Sequence, residues 1–389
     1  MKKTLTTIVV KPVGPDCNLN CKYCFYLDKM SLYPDNSNHK MNDETLEELI
    51  SQGMKQSGTH INFLWQGGEP ALAGLAFYQK VIEFEKQYGQ GKVVGNGFQT
   101  NATLIDEKWA DFLKENNFLV GLSLDGPKHI HDKYRTYKND KGSWEKIHNV
   151  AQMLIRKGIE VNAMVSLTDY SAKYPQEIYS FLTKLGIRWM QFIPVVERDK
   201  EDPNKAADFS LNPNDYSNFL LQTFMLWYKD LSEGEQSYIR YFENLFYRYV
   251  DLDSPECTLE SSCGSYVVVE HNGDVYACDY FVESKWKLGN IKENRLIDML
   301  NSDKQLRFGK IKEKLSDECQ SCQFLSFCYG GCPKDRIRDP NDNGQNHFCK
   351  SFKQFLSLTE SYFKDLAEQW KSDRINLKNQ STLDMSGYF

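Results

Sequence analysis

The chain has 389 residues, a formal net charge of −6 and 41% hydrophobic residues. That length suffices for one large domain plus a smaller one, and the charge implies no general attraction to nucleic acid. Aromatic residues make up 13%, with no low-complexity tract, so the composition excludes a disordered chain. No apolar run approaches the roughly 18 residues of a membrane span. Lys2 and Lys3 precede an apolar run, but Lys11 and Pro12 end it too early for a secretory signal. A cytoplasmic location is therefore expected. The 11 cysteines fall into two groups: three by position 24, then eight from Cys257 to Cys349. In a reducing compartment such thiols point to metal chemistry rather than to disulfides.

Leu5 to Val10 reads as a first strand, closed by Lys11-Pro12 and Gly14-Pro15. The loop after it carries Cys17, Cys21 and Cys24, with Tyr23 just before the third thiol. Three thiolates suit three irons of a four-iron cluster and leave the fourth open to a small molecule. A structural zinc site needs four closed ligands, and the next histidine is only His39.

Further strands are predicted at 60–66, 93–100, 118–123, 160–167 and 189–193. Helices are predicted between them, beginning behind the N-cap signal Asn42-Asp43-Glu44. With the first strand this makes six strand–helix units. Such alternation predicts a parallel sheet with right-handed crossovers, here an open, partial (β/α)6 barrel. Ligands gather at the carboxyl ends of such strands. The polar residues there are Gln66-Gly67-Gly68-Glu69-Pro70, Gln99-Thr100-Asn101 and Ser123-Leu124-Asp125-Gly126, with Arg135 beyond. A charged loop from 197 to about 209 and a helix around 214–231 bridge to the second cysteine group.

In that group, Asn272-Gly273 between two β-rich runs is a strong hairpin signal. It brings Cys263 and Cys278 near the hairpin's open ends. Cys319, Cys322, Cys328, Cys332 and Cys349 follow, and Cys257 lies upstream. Eight thiols fit two fully ligated four-iron clusters or, on this region alone, two four-cysteine zinc sites.

The loop CNLNCKYCFYL resembles the cluster loop of radical S-adenosylmethionine (SAM) enzymes, and QGGEP resembles their motif for the SAM amino group. The second group is similar to the SPASM domain appended to such enzymes. Within that group the chain most resembles the anaerobic sulfatase-maturating enzymes. The resemblance covers Val10 to about Phe363, on FLWQGGEPALAGL, QTNATLID, FLVGLSLDGP, WMQFIP, VYACDYFV and KWKLGNI. Ala71 stands where the family usually has Thr.

The resemblance implies three four-iron clusters and SAM as cofactors. It places a radical SAM barrel with its bridging helix at 1–235, a SPASM domain with a hairpin and C-terminal helix at 236–370, and a polar tail at 371–389. It implies SAM contacts at Tyr23, Gly68, Glu69, Ser123, Arg135 and Val196. Cys257, Cys263, Cys278 and Cys332 are implied on one further cluster, and Cys319, Cys322, Cys328 and Cys349 on the other. Asp279 is implied as the catalytic base, with peptide contacts at Tyr26, Gln66, Gln99 and Asn101. The reaction implied is oxidation of a Cys or Ser in a sulfatase polypeptide to Cα-formylglycine. The implied partners are that unfolded polypeptide and a low-potential electron donor.

Overall fold

The computed structural model describes residues 2–33, 39–202, 205–336 and 344–381. One ten-stranded sheet organises the molecule. Its parallel part runs β1 (Leu5–Lys11), β2 (Ser57–Trp65), β3 (Val93–Thr100), β4 (Leu119–Ser123), β5 (Val161–Leu167) and β6 (Trp189–Pro194). Each strand pairs in parallel with the next. The barrel stays unclosed, as the six predicted units require. A short β7 (Tyr238–Ile239), absent from the sequence reading, extends it beyond β6 in parallel.

The crossover helices follow the predicted pattern. Asn42 caps the first, Asp43–Gln56, by accepting from the Thr45 N–H at 2.9 Å. Its buried face includes Leu46, Leu49, Ile50 and Met54, at the helical spacing read from the sequence. Side chains along β5 alternate between buried and half-buried, the period of a strand packed under helices. The main core fills the space between sheet and helices, with Trp65, Phe63 and Phe98 fully buried.

The second region joins the same sheet. β8 (Val267–Glu270) and β9 (Asp274–Tyr276) form the expected hairpin, with Gly273 at φ +86° in its tight loop. β8 also pairs in parallel with β1, from Ile8↔Val267 to Lys11↔Glu270. β10 (Lys287–Asn290) then closes the edge antiparallel to β9. The hairpin and barrel therefore share a buried seam of Val9, Tyr26, Val268, Tyr276 and Val282. Each buried aliphatic there contributes roughly 1.5–3 kcal/mol.

The last helix runs Cys349–Ser381, so residues 371–381 continue it; 382–389 of the expected tail lie outside the described residues. Lys371 reaches Asp251 at 3.2 Å and Arg374 lies 4.4 Å over the Trp370 ring. Among the described residues no helix is long and apolar enough to cross a membrane.

Candidate active site and thiol centres

The three-thiol loop sits at the carboxyl end of β1, locked by neighbours from every side. Gly68 N donates to Gly14 O at 2.9 Å and Glu69 N to Asp16 O at 2.8 Å. A Cβ on Gly68 would lie 2.0 Å from the Asp16 carbonyl oxygen, so only glycine lets the loops approach. Glu69 itself is 1% exposed. Its carboxylate accepts from Ala71 N, Thr100 Oγ1 and Asn101 N at 3.0, 2.7 and 2.7 Å. Burial pushes its pKa up to about 7 against those hydrogen bonds.

Arg135 reaches the loop from the other side. It is buried and forms a two-pronged pair with Asp125, Nε–Oδ2 and Nη2–Oδ1 both at 3.1 Å. Its Nη1 stands 3.9 Å from Cys21 Sγ. Tyr23 donates to Asp125 Oδ2 at 2.7 Å, and Ser166 N to Oδ1 at 2.9 Å. Burial opposes ionisation of Asp125, but the Arg135 guanidinium wins and holds its carboxyl below the usual range. Behind them lies His131, whose Nδ1 accepts from Asp125 N at 3.2 Å. Its Nε2 then bears the proton and faces Ser143 Oγ at 3.0 Å. Burial lowers the His131 pKa to about 3, so it is neutral.

The strand-end polar residues converge on the same mouth. Gln99 Nε2 donates to Ser123 Oγ at 3.1 Å, and Asn101 Nδ2 lies 3.8 Å from Cys17 Sγ. Gln66 is half-buried past the end of β2, and Val196 is fully buried behind β6. Tyr26 is 2% exposed and donates to Glu270.

Asp279 comes to this site because the hairpin docks on β1. It forms an ion pair with Lys11, the last residue of β1, which is 1% exposed. The Lys11 ammonium lies 3.7 Å from the Tyr26 ring centroid, a close cation–π contact. Phe25, next to Cys24, packs at 4.6 Å against Tyr280, next to Asp279. The expected base thus stands one residue from Cys278, and its neighbour Tyr280 packs on the three-thiol loop. Sequence reasoning gave no role at the site to Lys11, Asp125 or Glu270. A lysine ending an apolar strand just before a metal loop was the available signal for the first.

The second thiol group splits in space. Cys319, Cys322, Cys328 and Cys349 line one apolar cavity with Phe324, Leu325 and Leu356. Cys257, Cys263 and Cys278 lie within electrostatic reach of one another, and Cys332 within reach of Cys278. Burial pushes Cys17 and Cys21 up to about 11 and 12, and Cys278 and Cys349 to about 11. Such thiols become ligands by giving up protons to the metal. The donor chemistry, all sulfur, fits iron–sulfur clusters at the three-thiol loop and in both four-thiol groups.

An unclosed parallel barrel with three thiols after its first strand, joined to eight further thiols, defines an iron–sulfur enzyme of the radical SAM class. A model of the radical SAM superfamily matches residues 12–182, and one of an iron–sulfur cluster-binding domain (SPASM) matches residues 257–323. A serine-type anaerobic sulfatase-maturating enzyme of Bacteroides thetaiotaomicron is 38% identical over 372 residues, 91% of this chain and 89% of that one. A cysteine-type enzyme of Clostridium perfringens is 36% identical over 358 residues, 90% and 95% of the two chains. A solved structure of native anSMEcpe with bound AdoMet (SAM) and Cp18Cys peptide superposes with a TM-score of 0.85, at 33% identity, covering 94% of this chain and 99% of that one. The chain belongs to the anaerobic sulfatase-maturating enzymes. It is a radical SAM enzyme that uses SAM and a four-iron cluster, and its SPASM domain binds additional iron–sulfur clusters.

Proposed function

We propose that the chain oxidises a Cys or Ser residue of an unfolded sulfatase polypeptide to Cα-formylglycine, activating the sulfatase under anaerobic conditions. The supporting observation is the docked hairpin, where Asp279, next to Cys278, pairs with Lys11 at the end of β1 and Tyr280 packs on Phe25 of the three-thiol loop. Cys17, Cys21 and Cys24 hold the SAM-cleaving cluster. Tyr23, Gly68, Glu69, Ser123, Arg135 and Val196 shape the SAM site. When bound, SAM and that cluster supply a radical that takes hydrogen from the substrate Cβ. Asp279 then accepts the hydroxyl or thiol proton, so that a C=O bond forms from Ser directly, or a C=S bond from Cys that water then hydrolyses to C=O with release of hydrogen sulfide. One electron remains, and the thiol set containing Cys278 is the adjacent place for its acceptor. Gln66, Gln99 and Asn101 line the mouth for the peptide. Tyr26, buried against Glu270 and Lys11, acts by supporting the wall behind them.

The division at 1–235 and 236–370 is chemical, since the sheet runs through both parts. Cys257, Cys263, Cys278 and Cys332 form one cluster site, and Cys319, Cys322, Cys328 and Cys349 the other. A low-potential donor in the cytoplasm supplies the electrons. The test is mass spectrometry of Cys- and Ser-containing sulfatase peptides after anaerobic incubation with SAM and reductant. Formylglycine in at least one peptide is expected; SAM cleavage with neither peptide altered would redirect the reading to another peptide modification.

A further inference from the structure

Three buried cations stand among the eight thiols of the second region; Lys334 pairs with Asp335, and the other two are Lys312 and Arg336. Lys312 is 0% exposed and Arg336 is 8% exposed. Every hydrogen bond given to either ends on a backbone carbonyl. Lys312 Nζ donates to Cys257 O and Thr258 O, both at 2.8 Å. Arg336 Nε and Nη2 donate to Gly330 O and Tyr329 O at 2.8 Å, and Nη1 to Lys312 O and Lys314 O at 2.9 Å. Among the described residues no carboxylate forms an ion pair with either. Arg135 in the barrel differs, since Asp125 neutralises it.

Carbonyl dipoles orient a cation but do not cancel its charge. A buried charge without a counter-charge is strongly disfavoured, and arginine does not escape by losing its proton. The counter-charge must come from the thiols. Arg336 ends the short helix Pro333–Arg336 that follows Cys332, while its head clamps the turn after Cys328. It therefore belongs to one thiol set by its backbone and to the other by its guanidinium. Its charge is felt by Cys263 and Cys332 on one side and by Cys319 and Cys328 on the other. Lys312 lies chiefly against Cys257, Cys263 and Cys332. Four thiolates on a four-iron cluster carry net negative charge, and net charge helps set a cluster's potential.

We propose that Lys312 and Arg336 are the fixed counter-charges of the two auxiliary clusters, and that Arg336, seated against both thiol sets, raises the reduction potential of both. This rests on the reading that these eight thiols hold two four-iron clusters. Adding an electron to a cluster beside a buried cation is easier, so both clusters become better acceptors for an electron leaving the substrate site. The SAM-site cluster gains little, because Asp125 offsets Arg135.

The test is iron and sulfide analysis with potentiometric electron paramagnetic resonance on the full, anaerobically reconstituted chain. Arg336→Gln is expected to lower both auxiliary midpoints by a tenfold change in the reduction equilibrium, about 59 mV for one electron. Lys312→Met is expected to lower chiefly the cluster on the Cys257 set. Arg336→Lys keeps the charge and is expected to restore the wild-type values. The SAM-site midpoint serves as the internal reference and stays put. Full iron content with unmoved auxiliary midpoints in Arg336→Gln would overturn the proposal. If Arg336→Gln loses iron and Arg336→Lys regains it, the counter-charge is supported. Loss in both variants assigns Arg336 a hydrogen-bonding role only and overturns it. Zinc without acid-labile sulfide in the wild type would overturn the cluster reading and the proposal together.

Discussion

The two thiol regions use buried charge in opposite ways. At the barrel mouth three thiols stand beside a neutralised cation, Arg135 on Asp125, with polar strand ends open around them. In the second region four thiols line an apolar cavity, and two buried cations among the eight, Lys312 and Arg336, meet only carbonyls. The first arrangement leaves a coordination position and a polar mouth for a small molecule. The second excludes one. The difference teaches that ligand count and local charge balance together separate a reactive cluster from a conducting one.

The largest effect is expected from the three-thiol loop. Changing Cys17, Cys21 or Cys24 to Ala should abolish 5′-deoxyadenosine formation while sparing the second region. Iron should drop from about twelve to about eight per chain, by the ligand counting for four-iron clusters. Iron analysis alongside product chromatography checks this, and equal loss from both regions would break the comparison.

Next comes Asp279→Asn, which keeps the shape but removes the proton acceptor beside Lys11. Peptide oxidation should slow by about 10²–10⁴-fold, measured as formylglycine by mass spectrometry. Asp125→Ala should follow, because it strands the buried Arg135 charge. Breaking such a pair typically costs about 3–5 kcal/mol. Anaerobic chemical denaturation should show that loss, whereas Lys80→Ala, in an exposed pair with Asp43, should change little.

The smallest effect concerns Glu85, buried beside Asn96 Nδ2 at 3.0 Å. Burial raises its pKa from 4.5 to about 7. A carboxyl held neutral in the fold binds its proton more tightly there than in the unfolded chain. Its contribution to stability is therefore full below pH 4.5 and is lost as pH rises toward 7. Glu85→Gln should flatten the stability profile across that window. An unchanged profile would show that Glu85 ionises freely in the folded protein.

Much of the fold was legible because strand and helix periods differ and each strand ended at a clear breaker. The six barrel strands and the Asn272-Gly273 hairpin were read within a few residues of their observed bounds. The β1–β8 pairing was not legible, since two valine-rich strands more than 250 residues apart carry no sign of adjacency. β7 has two residues and no alternation to detect. At the site, the thiols announced themselves by spacing. Lys11 and Asp125 did not, because each acts through a partner that only the folded chain supplies. Lys312 and Arg336 carry no sequence signal of their role, since only the fold shows them buried.

The central claim is a division of labour: the barrel thiols cleave SAM, and Asp279 at the second region's edge completes the oxidation. It is tested most directly by quantifying 5′-deoxyadenosine and formylglycine peptide in one anaerobic reaction, for wild type and Asp279→Asn. The account predicts that the variant still forms 5′-deoxyadenosine while its ratio of formylglycine to 5′-deoxyadenosine collapses. An unchanged ratio at the wild-type rate, or loss of both products together, would contradict it.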